Sequence, residues 1–170
     1  MEVFDTLTAV SEVSIALAGF GGIAAGLGYR ASGSWHGDDL FRLLVMVIVC
    51  LSVVFACFVP TALHSLDLDG SWRLAGGFVL ITSIGQLTVQ YRRFRRGLPP
   101  GYNLVVTLAL IVSNLIVFGL SVFLVLGLPE SNQAPGVYLT AILFLLLTPA
   151  ILFVRLIVTA FASIHDADDV

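Results

Sequence analysis

The sequence contains no lysine, and all eight of its basic residues are arginines. We read that bias as base composition rather than chemistry. Charge of either sign is scarce: Asp, Glu, Lys and Arg make up 11% of the 170 residues, against about 25% in soluble domains. The net charge is only −3. That balance offers nucleic acid no basic surface, and no nucleic-acid partner is expected. The two cysteines, Cys50 and Cys57, would share one face of a helix. They would stand about 10 Å apart along its axis, too far for a disulfide, and read as small buried thiols. No C-x-x-C pair or Cys/His spacing exists, so no metal site is expected. His36, His64 and His165 do not pair within any helix, which argues against haem or a di-metal centre. No His/Glu spacing suits a metalloprotease, and no glycine-rich loop follows a strand to hold phosphate. No cofactor and no catalytic residue is expected.

What remains is hydrocarbon. Hydrophobic residues are 58% of the chain, against about 45–50% in a soluble domain. A membrane helix needs about 20 mostly apolar residues. Windows 7–29, 40–65, 72–91, 104–128 and 137–162 qualify. The breaks carry turn residues and charge: Ser32-Gly33-Ser34 with Asp38 and Asp39, Asp67 to Gly70, Gly97 to Gly101, and Pro129 to Gly136. The fold expected is a single all-α transmembrane bundle of about five helices, with loops too short for a second core. The N-terminus carries Glu2 and Asp5 without a basic region, so the first apolar run reads as a mature helix rather than a signal peptide.

Tyr29, Trp35, Trp72, Tyr91, Tyr102 and Tyr138 all fall at or beside expected helix ends. An aromatic belt at the two membrane interfaces would place them so. Arginines cluster at Arg92, Arg93, Arg95 and Arg96, with Arg30, Arg42 and Arg155 at the same level of the alternating chain. Asp67, Asp69 and Glu130 lie at the other level, where Arg73 is the lone base. Basic loops stay in the cytoplasm. The expected topology has the N-terminus outside and the C-terminus inside. The four-arginine loop should meet anionic lipid headgroups at about 1 kcal/mol per base.

Polar residues inside the spans are the candidate sites. Glu12 lies in the first helix, where a charge costs about 2.5–3.5 kcal/mol at the centre and less near an interface. His64 and Arg73 are expected at its level, and the three could form an ionic cluster; otherwise Glu12 simply reaches the headgroups. Ser83, Gln86, Ser113 and Asn114 occupy mid-membrane positions, as interhelical hydrogen bonds or as a polar path. Arg42 and Arg155, with Gln90 nearby, lie toward the inner side and either snorkel or pair. Ser14, Ala18, Gly19, Gly22 and Gly26 form a small-residue face suited to close helix packing, within the chain or between copies. Pro60 and Pro149 should kink their helices, with Thr61 and Thr148 placed to help satisfy the freed carbonyls.

The run Leu17-Ala18-Gly19-Phe20-Gly21-Gly22-Ile23, followed by Arg30, resembles the first helix of small uncharacterised bacterial multi-pass proteins. That resemblance implies a bacterial inner membrane and carries no activity. The expected role is helix packing, as an accessory subunit of other membrane proteins or a self-associating scaffold. The competing expectation is a small oligomeric channel or transporter, with Glu12 and the mid-membrane polar residues lining its path.

Overall fold

A computed structural model of the chain describes residues 2–32, 37–66, 70–95 and 104–168. These form α1 (Glu2–Ser32), α2 (Gly37–Ser65), α3 (Ser71–Arg95), α4 (Leu104–Val125) and α5 (Ala134–Asp168). Each contains a stretch long and apolar enough to cross a bilayer: Val3–Leu27, Leu40–Ser65, Ser71–Arg92, Val105–Val125 and Ala134–Val158. The chain is a multi-pass membrane protein. Large apolar side chains such as Phe20, Phe55, Ile81, Val105 and Val154 point outward, because hydrocarbon solvates them.

Most helix limits differ from expectation: α1 runs on to Ser32, α2 begins at Gly37, α3 spans Ser71–Arg95 and α5 ends at Asp168. Helix α1 begins before residue 7, at Glu2. Helix α5 starts at Ala134 rather than 137, with Pro135 in its first turn, where the fixed φ of proline suits a helix start. Helix α4 stops at Val125 rather than 128. Gly127 adopts φ 67°, its N–H donates to Leu124 O at 2.9 Å, and Leu128 N–H donates to Phe123 O at 3.3 Å. That pair of bonds closes a Schellman cap, and glycine takes the left-handed position without Cβ strain.

Helix α5 is the hub, packing against all four others, whereas α1 packs along α2 and α5 and meets α3 at the Phe4 and Trp72 rings. On the far flank α3 packs along α4. At one end of the bundle Phe4, His64, Trp72 and Tyr138 gather. Phe4 lies 5.9 Å from His64 and 6.0 Å from Trp72, and Trp72 lies 5.6 Å from Tyr138, centroid to centroid. The start of α1, the end of α2 and the starts of α3 and α5 therefore share this end. We call it the Trp72 end and the opposite one the Arg92 end.

Hydroxyl groups fasten the helices to one another. Ser14 Oγ donates to Cys50 O at 3.0 Å, joining α1 to α2. Tyr138 Oη donates to Ala56 O at 2.6 Å, joining α5 to α2. Ser113 Oγ donates to Phe144 O at 2.8 Å, joining α4 to α5. Ser83 Oγ donates to Asn114 O at 3.2 Å, joining α3 to α4. Every helix is thus held by at least one bond to a neighbour's main chain.

The Tyr138 bond has a specific origin. A residue's N–H pairs with the carbonyl four positions back, and Pro60 has no N–H. Ala56 O is the acceptor so orphaned, and the Tyr138 hydroxyl supplies its donor. Two expectations change accordingly. Tyr138 is wholly buried rather than part of an interfacial belt. The repair at Pro60 is made by Tyr138 rather than Thr61, and the Thr148 hydroxyl has no hydrogen-bond partner, so it makes none beside Pro149.

Candidate functional site

The expected ionic cluster does not form. Glu12 stands nine residues past Val3, the start of the first span, hence about 14 Å in at 1.5 Å per residue. That sets it well inside the first apolar span. Its side chain is exposed on the outside of the bundle, and no ion pair joins it to His64 or Arg73 among the described residues. His64 instead sits against the Phe4 ring. Arg73 packs its guanidinium over Gly127, beside a hollow that Trp72 and Ala134 also line. Packing explains the separation: α1 meets α3 near its start, where Phe4 stacks on Trp72, whereas Glu12 lies further along α1 on its outward face.

The small-residue face of α1 divides between two directions. Ser14 is buried and bonded to α2, and Ala18 is half-buried against the small cluster of Met46, Cys50 and Leu152. Gly21 also faces inward, where any Cβ would run into the Met46 side chain. Gly19, Gly22 and Gly26 face outward, and a Cβ on any of them would meet nothing within 4 Å. They continue a line that begins with Thr8, Glu12 and Ile15, all exposed. The steps along that line are 4, 3, 4, 3 and 4 residues, the heptad spacing of a helix seam.

On the other flank, Ser83, Ser113 and Asn114 act as fasteners within α3–α4 and α4–α5. Asn114 Nδ2 donates to Leu110 O on its own helix at 3.0 Å, while its Oδ1 has no partner. Ser121, which the sequence did not single out, is also buried without a partner. Glu12 faces outward from α1, away from these buried residues, so they share no path with it inside one chain.

The chain matches no protein-family model, no curated protein and no solved structure. Its function must be read from its own geometry.

That geometry includes a cavity of about 450 Å³ in the Arg92 half, enclosed by α2, α3, α4 and α5. Gln86 and Gln90, one helical turn apart on α3, line it together with Thr148 of α5. Both polar atoms of Gln86, Oε1 of Gln90 and Oγ1 of Thr148 are buried with no hydrogen-bond partner. Ser52 and Thr82 also line the cavity, but each hydroxyl donates to its own helix, at Ile48 O and Phe78 O. Gln90 and Thr148 were legible only as a helix-end polar residue and a proline neighbour; their joining on one cavity depends on how α3 meets α5.

Arg42 is half-buried and lines the same cavity, and Arg155 is half-buried on α5. Arg92 and Arg95 are exposed at the helix end, with Arg95 over the Tyr91 ring at 6.0 Å. The side chains of Arg93, Asp38 and Asp39, and the whole of Arg96, lie outside the described residues. Cys50 and Cys57 are both buried free thiols.

Proposed function

We propose that the protein is a non-enzymatic membrane scaffold that associates with copies of itself along the outer seam of α1. The observation that carries this reading is the seam itself. Thr8, Glu12, Ile15, Gly19, Gly22 and Gly26 recur at heptad spacing on a face that no other helix of the chain covers. In lipid, helices associate by close van der Waals contact and interhelical hydrogen bonds. Three open glycines provide the close approach. Glu12 supplies the second motive, because a carboxyl inside an apolar span and facing outward is costly. A second copy on the same seam brings it a polar partner at the same depth. The same face would serve an accessory subunit meeting a different membrane protein.

In this reading the Arg92 end faces the cytoplasm of a bacterial inner membrane. Arg92 and Arg95 then lie at the anionic headgroups, and the start of α1 lies on the outer side. The skewed arginine distribution supports that orientation.

The test is association of the full chain labelled for energy transfer in lipid vesicles, over a range of protein-to-lipid ratios. Wild type should associate. Gly22→Ile with Gly26→Ile, which adds bulk where the fold has open space, should lower association at least tenfold without loss of helicity. Glu12→Leu should weaken it, and Glu12→Gln should retain most of it. A wild type that stays monomeric at every ratio sinks the proposal. Ion flux through the same vesicles that changes with Glu12→Gln would favour the oligomeric channel instead.

A further inference from the structure

The cavity in the Arg92 half lies on the flank away from the α1 seam. Its walls identify how a ligand would enter. Phe41, Leu44 and Ile48 of α2 line it, yet are 37%, 54% and 53% exposed. Across the gap, Val89 and Phe94 of α3 line it and are 44% and 59% exposed. Residues that are at once cavity wall and outer surface mark an opening. This one lies sideways between α2 and α3, toward the hydrocarbon, and its rim is apolar. Water and ions find no wetted route through such a rim, whereas an amphiphile dissolved in the bilayer does.

The polar atoms within identify the head such an amphiphile must carry. Gln86 Oε1 and Gln90 Oε1 are acceptors awaiting donors, Gln86 Nε2 is a donor awaiting an acceptor, and Thr148 Oγ1 can do either. Thr148 is 3% exposed, so its hydroxyl is sealed from bulk solvent. Unpaired polar groups at this depth are costly, and few folds keep four together without a use. A carboxylate or phosphate head would set negative charge against the two amide oxygens, and Arg42, the cation on the wall, is already engaged by another group. A cationic head would find no carboxylate, since no Asp or Glu lines the cavity. A head with several hydroxyls satisfies all four atoms, because each hydroxyl both donates and accepts. The volume of about 450 Å³ falls within the range of about 300–1,000 Å³ usual for small-molecule sites.

We propose that this cavity binds an uncharged, hydroxyl-bearing amphiphile of the monoacylglycerol class, taken up sideways from the bilayer between α2 and α3. The glycerol head sits against Gln86, Gln90 and Thr148, and the acyl chain lies along Val45, Val49 and Ile111 toward the lateral opening.

The test uses the full chain in detergent, probed by native mass spectrometry and thermal shift with three compounds sharing one tail. These are monodecanoylglycerol, methyl decanoate and decanoate. Monodecanoylglycerol should be retained at least tenfold better than the other two. Gln86→Leu with Gln90→Leu should abolish that preference. Gly85→Leu supplies a second variant: Gly85 lines the cavity from an exposed position, and a Cβ there meets nothing within 4 Å. It should block binding without disturbing packing. Equal retention of the glycerol ester and the methyl ester would overturn the proposal, as would preference for decanoate. Unchanged binding in both folded variants would overturn it too.

Discussion

Tyr138→Ala is expected to lower stability by about 3 kcal/mol, measured by denaturing-detergent titration of the full chain in bicelles. The ring is wholly buried where α5, α3 and α2 meet, so its removal leaves a void that rigid helices close poorly. Tyr138→Phe isolates the hydroxyl and should cost about 1–2 kcal/mol, the upper part of the range for interhelical bonds. The loss is that large because Pro60 leaves Ala56 O without its helical N–H donor. A double-mutant cycle checks this account. In a Pro60→Ala background, residue 60 regains an N–H that can pair with Ala56 O. The cost of Tyr138→Phe should then fall by half or more. If it is the same in both backgrounds, the hydroxyl is not replacing the bond that proline removes.

Gly76→Val should destabilise the chain by about 1–3 kcal/mol through overpacking. A Cβ at Gly76 would stand 2.9 Å from Leu124 Cβ and 3.7 Å from Ser121 O. Neither neighbour is the tip of a flexible side chain, so α3 and α4 themselves must separate. The adjacent Gly77 is the control, because a Cβ there meets nothing within 4 Å. Gly77→Val should leave stability unchanged or slightly raised, since valine suits a helix better than glycine. The same titration reads both. Equal effects at the two positions would show that the close approach of α3 and α4 is not what Gly76 serves.

Both predictions turn on a distinction that composition does not make. Gly76 and Gly77 are indistinguishable in sequence, as are Gly21 and Gly22, yet one of each pair faces a helix and the other faces outward. Ser83 fastens two helices, whereas Thr82 beside it bonds only to its own. In a water-soluble helix the polar face would have told inward from outward. In hydrocarbon both faces are apolar, so the periodicity that marks a core fades. The heptad line on α1 was present in the sequence all along. Only its exposure separates it from an ordinary packing face.

What the sequence determined by itself is the solvent and the number of crossings. Scarce charge, five runs of sufficient length and loops with no room for a core lead to a helical membrane protein, because an unpaired main chain in lipid leaves a helix as the economical way across. Tertiary structure decided which polar side chains meet. It separated Glu12 from His64 and Arg73, buried Tyr138 against the carbonyl that Pro60 orphans, and joined Gln86, Gln90 and Thr148 on one cavity. Those outcomes depend on how each helix is rotated about its own axis. Packing between particular neighbours sets that rotation, and no single helix encodes it.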